Sequence, residues 1–216
     1  MQKNYQMLKP DSLIFDMDGT LWDASDTYTA AWNEGLKAMH IDRVINRGEL
    51  DYMMGWERRR VLEHTFPDYP VEKQEQIYDA IVAAQDRLLP ETGGLLYEGV
   101  AEGLARLATK YKLFMLSNCP KNAITQFLTF SGLTPYITGQ ITHGENGMPK
   151  HHNIKLLQSK YGLQNPVYVG DTETDQIQSD LAGVPFIFID YGFGQTEKYA
   201  LKFSSFTQLT DYFMAL

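Results

Sequence analysis

A single cysteine, Cys119, stands in 216 residues, so no disulfide can close within the chain. Cysteine usage this low fits a reducing compartment better than a secreted scaffold stapled by bridges. Positive charge is also scarce: 19 Lys and Arg face 27 Asp and Glu, a formal net charge of −8. An acidic surface repels phosphate backbones and anionic lipid, which argues against nucleic acid or a membrane as partner. No stretch approaches the ~18 apolar residues of a membrane span. The polar start MQKNYQMLKPDS lacks the apolar core of a signal peptide. Internal repeats and low-complexity tracts are missing as well. What remains is the expectation of a cytoplasmic globular protein, and the sequence carries no signature of its oligomeric state.

The chain is long enough for one sizeable core, or for a core with a small accessory domain. Four short runs are apolar nearly throughout: SLIFD (12–16), YKLFMLS (111–117), PVYVGD (166–171) and VPFIFID (184–190). Strands buried on both faces of a parallel sheet read this way, whereas a half-exposed strand alternates. Helical patterns separate them. GVAEGLARLATK (99–110) sets Val100, Leu104 and Leu107 on one face, while KNAITQFLTFSGL (121–133) and HNIKLLQSKYGL (152–163) each meet a glycine C-cap. Strand and helix in alternation predict a doubly wound α/β fold with a parallel, Rossmann-type sheet.

One stretch departs from the alternation. From Asp23 to Thr92 the apolar spacing is helical only, in DTYTAAWNEGLKAMH (26–40), WERRRVLEHTF (56–66) and VEKQEQIYDAIVAAQDRLL (71–89). Pro67, Pro70 and Pro90 punctuate these helices. The expected organisation is a core of residues 1–22 and 93–216 with a helical domain of residues 23–92 set over the sheet. ETGGLLYEGV (91–100) would be the hinge back into the core.

Polar residues gather where the strands end. Asp16 and Asp18 follow the first strand, Ser117 and Asn118 the second, and Asp171 the VYVG strand. In a parallel sheet these carboxyl ends share one edge, and ligands of open α/β sheets bind outside it. Each group alone has an ordinary explanation. Asp-Gly is a turn dipeptide, Ser-Asn satisfies loop backbone, GDTETD (170–175) caps a helix, and Lys150 is a surface lysine. Together they fit that explanation poorly. Asp16, Asp18, Asp171 and Asp175 in one cleft would repel, and some would have to protonate unless a hard cation with oxygen ligands joined them. Mg²⁺ characteristically takes one or two carboxylates and keeps positions for water and a phosphate oxygen. Ser117 adds a hydroxyl donor and Lys150 a point charge suited to a phosphoryl group. The set suits phosphoryl transfer.

The ordered set DMDGT, SN, Lys150 and GDTETD, running from residue 15 to 175, resembles the four signature motifs of the haloacid dehalogenase-like hydrolase superfamily. The helical insertion resembles the cap of its phosphoglycolate phosphatase-like and β-phosphoglucomutase-like members. The resemblance implies that Asp16 is a nucleophile forming an aspartyl-phosphate, and that Asp18 protonates the leaving oxygen and then deprotonates water. It implies Mg²⁺ held by the Asp16 side chain, the Asp18 backbone carbonyl and Asp171, with Asp175 supporting the site through water or through Lys150. Ser117, Asn118 and Lys150 would bind the phosphoryl group. The implied activity is a Mg²⁺-dependent phosphatase for a small phosphorylated metabolite, phosphoglycolate-like or sugar-phosphate-like. A phosphomutase, a pyrophosphate- or phosphonate-cleaving enzyme and a non-catalytic metabolite sensor stay open as alternatives. Asp18, which the dehalogenases lack, favours phosphate chemistry, and no lysine of the insertion can be placed as a Schiff-base nucleophile. Two positions depart from the family pattern: His151 follows Lys150, and Glu98 stands in YEGV, each where proline is common.

Other candidates are weaker. WERRR (56–60) is the most basic patch of the insertion, and Trp56 and Arg59 are its candidates for contact with a substrate carboxylate or second phosphate. His151 and His152 point about 100° apart on a helix, a poor chelate, and are expected to be exposed. Cys119 has no base that the sequence can place beside it. DYGFG (190–194) reads as a loop at the carboxyl end of the last strand.

Overall fold

The structure, a computed structural model, describes residues 9–216, so the first eight residues of the polar start lie outside the described residues. The first strand, β1 (Ser12–Phe15), is followed by the DMDGT turn and a two-residue strand, β2 (Trp22–Asp23). Four helices come next: α1 (Ser25–Ala38), α2 (Arg47–Met53), α3 (Arg58–Thr65) and α4 (Val71–Thr92). The short β3 (Leu95–Leu96) then pairs antiparallel with β2, so the helical stretch leaves and returns through one two-stranded ribbon.

Helix and strand alternate from there. The order is α5 (Val100–Ala108), β4 (Lys112–Ser117), α6 (Ala123–Ser131), β5 (Gly139–Thr142), α7 (His143–Asn146), α8 (Lys150–Tyr161) and β6 (Pro166–Gly170). The chain closes with α9 (Glu173–Ala182), β7 (Phe186–Ile189), β8 (Leu201–Phe203) and α10 (Phe206–Ala215). The six-stranded sheet runs β5-β4-β1-β6-β7-β8, and every pairing in it is parallel. This is the doubly wound α/β architecture that the apolar runs predict.

Side chains alternate across the sheet and fill two cores. Leu13, Phe15, Leu113, Met115, Val167, Val169, Ile187 and Ile189 face α5 and α10, whose Leu104, Leu107, Phe206 and Phe213 are fully buried. Ile14, Phe114, Leu116, Tyr168, Phe186 and Phe188 face the other way, onto Ile154 and Leu157 of α8. Both faces being covered explains why these strands read as unbroken apolar runs.

Besides the ribbon strands β2 and β3 and the one-turn α7, four elements are additions to the expected set. The edge strands β5 and β8 are GQIT and LKF, too short and too polar to stand out. The seven-residue α2, RGELDYM, has a capping box between Asn46 and Glu49 but only two buried side chains. In α10, Phe206, Leu209 and Phe213 do carry a helical spacing in the sequence. Because β8 follows it, the DYGFG loop does not end the sheet.

Pro90 does not end its helix, as its place among the punctuating prolines suggested; α4 continues through it to Thr92 and stops at Gly93. A proline lacks the N–H that would bond to the carbonyl four residues back, here Asp86. Gln126 of α6 makes up the loss, its Nε2 donating to the Asp86 carbonyl at 3.2 Å and to Asp86 Oδ1 at 2.9 Å.

Candidate active site

The carboxyl ends of β1, β4 and β6 lie side by side, with β1 between the other two. Asp16 leaves β1, Ser117 is the last residue of β4, and Asp171 follows Gly170 at the end of β6. The parallel register therefore joins residues a hundred and more positions apart at one edge.

Lys150, at the start of α8, is the hub of the charges. Its Nζ stands 2.9 Å from Asp16 Oδ1 and 2.6 Å from Asp175 Oδ1. Asp16, Lys150, Asp171 and Asp175 are each no more than 2% exposed. Burial opposes the lysine's charge, but Asp16 and Asp175 outweigh it and hold the ammonium well above its usual range. His151 is only half-buried, its ring and backbone N–H both meeting Gln178 Oε1, while His152 is exposed. The missing proline after Lys150 is thus replaced by a side-chain anchor, with Pro149 at the N-cap.

Asp175 has both the ordinary role and the site role considered from sequence. Its Oδ2 accepts from Thr172 N and Oγ1 at 3.1 and 2.6 Å, and the Thr172 hydroxyl accepts from Asp175 N at 3.1 Å, a capping box that starts α9. Its Oδ1 accepts from Lys150 and from Tyr168 Oη at 3.2 Å. Both oxygens are thus occupied, and Asp175 acts by fixing Lys150.

Carboxylate oxygens of Asp16, Asp171 and Asp175 lie within 4.8 Å of one another. With Asp175 engaged, Asp16 and Asp171 are the pair that fits a metal ion. Asp171 receives only a long 3.3 Å contact from Thr20 Oγ1 and one backbone N–H, from Phe193 at 2.7 Å. Burial, then the charges of Asp175 and Asp16, push its carboxyl well above the usual range. Three buried carboxylates against one lysine leave excess negative charge that only protons or a cation can neutralise. The donors are all oxygens, which suits a hard divalent ion. The chain approaches this spot closely: a Cβ on Gly19, where φ is +79°, would meet Asp171 Oδ2 at 2.2 Å, and one on Gly192 at 2.3 Å. The DYGFG loop accordingly serves the site by wrapping Asp171.

Asp18 has different surroundings. Its Oδ1 accepts from Trp22 Nε1 at 2.9 Å and Tyr28 Oη at 3.0 Å, both neutral donors. Asp18 keeps a small opening to the cleft, yet its surroundings and the charge of Asp16 raise its pKa to about 7. Asp16 is raised to about 6, by burial opposed by Lys150. Tyr28 and Trp22 were not singled out from sequence. Trp22 lies four positions after Asp18, but nothing in the sequence brings Tyr28 of α1 there.

A cleft between the sheet edge and the inserted helices is lined by Asp16, Asp18, Ser117, Asn118 and Cys119 on one side and by Tyr28, Trp56 and Arg58 among others opposite. Asn118 Nδ2 donates to the Gly55 carbonyl in the α2–α3 loop at 3.0 Å, a direct tie between the two sides. Burial and the charge of Asp18 push the Cys119 thiol far up, which leaves it protonated. Trp56 lines the cleft. Arg59 does not: it is exposed, with Nε 2.7 Å from Glu63 Oε1, and the neighbouring Arg58 takes the cleft side.

The comparisons with known proteins agree with this geometry. The sequence profile of the haloacid dehalogenase-like hydrolases matches residues 13–189. The phosphoglycolate phosphatase of Salmonella typhimurium is 26% identical over 214 residues, covering 88% of this chain and 85% of that protein. That of Rhodobacter capsulatus is 26% identical over 209 residues, covering 92% and 94%. Among solved structures, a haloacid dehalogenase-like hydrolase from Streptococcus pneumoniae superposes with a TM-score of 0.81 at 16% identity, over 96% of this chain and all of that one, a likeness of fold. A profile match across most of the chain, on a fold that carries its motifs to one edge, makes this protein a member of the haloacid dehalogenase-like hydrolase family and an enzyme of the phosphatase type.

Proposed function

We propose that the chain is a Mg²⁺-dependent phosphatase that hydrolyses the monoester of a small phosphorylated metabolite through an aspartyl-phosphate on Asp16. The observation that carries this reading is the difference between two neighbouring carboxylates. Asp16 touches an ammonium, whereas Asp18 touches only neutral donors. Paired acids whose surroundings separate them in this way divide the work of nucleophile and proton donor.

In the first step an Asp16 oxygen attacks phosphorus as the bond to the leaving oxygen breaks, and Asp18 gives that oxygen its proton, so a neutral alcohol departs. In the second step Asp18, now a carboxylate, takes a proton from water as the water oxygen bonds to phosphorus and the bond to Asp16 breaks. Lys150 and the Ser117 hydroxyl meet the phosphoryl oxygens, and Asn118 serves them from the same turn while it holds the helical insertion through Gly55. Asp16, Asp171 and the Asp18 carbonyl would hold Mg²⁺, which supplies positive charge against the oxygens of the transferring group. Asp175 keeps Lys150 in place.

Residues 1–22 and 93–216 form the catalytic core in this reading, and residues 23–92 a cap whose closure excludes water during transfer. Among the described residues no helix is long and apolar enough to cross a membrane. A cytoplasmic enzyme whose lone thiol stays reduced fits that composition. No lysine of residues 23–92 lines the cleft, which lowers the phosphonate-cleaving alternative. The decisive experiment is phosphate release from p-nitrophenyl phosphate with Mg²⁺. Asp16→Asn should abolish it, and release that persists in this variant would remove Asp16 as nucleophile.

A further inference from the structure

Asp18 meets two donors, and both reach the same oxygen. Trp22 Nε1 donates to Asp18 Oδ1 at 2.9 Å, and Tyr28 Oη donates to it at 3.0 Å. Among the described residues Oδ2 receives no hydrogen bond, and it is not sealed away from the cleft that Asp18 lines. An indole N–H can only donate, and a carboxyl oxygen that carries the proton is the poorer acceptor. Two donors on Oδ1 therefore leave the acid's proton to Oδ2, the oxygen open to the cleft.

The two donors are held in different ways. Trp22 is fully buried and local to Asp18: across the DMDGT turn, Gly19 N donates to the Trp22 carbonyl at 2.9 Å. Tyr28 comes from the inserted helices. It stands in the first turn of α1, 7% exposed, and lines the cleft. The neighbouring Thr27 ties that turn to the point where the chain re-enters the core, its Oγ1 donating to the Gly93 carbonyl at 2.6 Å. Rotation about the Cβ–Cγ bond of an aspartate is soft and roughly two-fold, so one donor alone lets the two oxygens exchange places. A second donor, from a second element, fixes the plane of the carboxyl.

We propose that Tyr28 is a positioning residue for proton transfer: with Trp22 it holds Asp18 Oδ1, so that Oδ2 faces the leaving oxygen of the substrate. The proposal rests on the phosphatase reading above and gives the inserted helices a share in the chemistry besides enclosure. As the bond from phosphorus to the leaving oxygen breaks, the proton on Oδ2 passes to that oxygen. As water then bonds to phosphorus and the bond to Asp16 breaks, Oδ2 takes a proton from the water. Tyr28 gives up no proton in either step. It acts through Asp18, by keeping one oxygen in line with the reacting atoms.

The test compares the full chain with its Tyr28→Phe variant, which keeps the ring and removes the donor, both with Mg²⁺. Rapid-quench assays follow the first turnover of ethyl phosphate, whose leaving oxygen needs a proton, and of p-nitrophenyl phosphate, whose leaving oxygen does not. Release of ethanol should fall about tenfold with KM nearly unchanged, a smaller loss than the ~10²–10⁴ expected for Asp18 itself. The burst of p-nitrophenol should stay within about twofold of the parent. Equal losses in the two first turnovers would make Tyr28 merely structural, and a raised KM at unchanged kcat would make it a substrate contact. No loss in either would show that Asp18 is oriented without it. Each of these results overturns the proposal and leaves the phosphatase reading standing. A parent enzyme that releases phosphate from neither ester would sink both. Where Tyr28→Phe fails to fold, Tyr28→Met, equally without a donor, is read by the same outcomes.

Discussion

Asp18 and Asp16 sit two positions apart where the chain leaves β1, yet they meet different chemistry because their neighbours come from different elements. Trp22 and Tyr28 reach Asp18, while Lys150 reaches Asp16. If Asp18 supplies the proton, Asp18→Asn should slow hydrolysis of an alkyl phosphate by about 10²–10⁴. The first-turnover burst of p-nitrophenol from p-nitrophenyl phosphate should be slowed much less, because that leaving oxygen needs no proton, although the water that follows still loses its base; equal losses in the burst would refute the assignment. Lys150 carries a second prediction. Lys150→Met strands three buried carboxylates and should cost about 3–5 kcal/mol in unfolding free energy at neutral pH. The loss should shrink as pH falls and the carboxyls protonate, which thermal melts at several pH values would reveal.

These acids and the lysine were legible because strand-end motifs are short and local, and a parallel sheet sends all its carboxyl ends to one edge. Arg58 against Arg59 was not legible. Neighbouring helix positions differ by about 100°, so one residue of uncertainty in how α3 packs exchanges the cleft side for the solvent side.

The contact between α4 and α6 gives a test at the level of packing. Gln126 replaces the hydrogen bond that Pro90 removes, so Gln126→Ala should lower stability by about 1 kcal/mol. In a Pro90→Ala background the Asp86 carbonyl regains a helical donor, and the same change should cost less. Additive losses in the double mutant would show that the proline and the glutamine are unrelated. The start of β1 offers a pH test. Asp11 accepts from Gln164 N at 2.6 Å, Asn165 N at 3.3 Å and Ser12 Oγ at 2.7 Å, which tie β1 to the turn before β6. Burial tends to raise its carboxyl, but these bonds win and hold it below 3.8. A depressed carboxyl stabilises the fold above its unfolded value, and the contribution is lost as pH falls through the folded one. Asp11→Asn should therefore lower the unfolding free energy near neutral pH, by no more than about 1 kcal/mol since Asp11 is open to solvent. The gap to the parent should close below pH 3.8. Elements of this layer were legible where an apolar run was long, as in β4 and α4. They were not where a strand owes its place to the edge it joins, as with β5 and β8.

Binding of a divalent ion only to the folded chain must raise its melting temperature by mass action. Saturating Mg²⁺ should do so here, and Asp171→Asn should abolish most of the rise; an undiminished rise would place the ion elsewhere.

The strand order has a further consequence, for the order of events in folding. β1 is central, and Phe15 pairs with Met115 and Val169, partners that arrive roughly one hundred and one hundred and fifty residues later. Closing such long loops is slow, because their entropy is lost before the contacts form. Lys150 reaches Asp16 only once α8 has docked, so a nascent or half-folded chain carries Asp16 without its counter-charge. Refolding experiments should find no active intermediate, with catalysis returning in the same phase that completes the sheet.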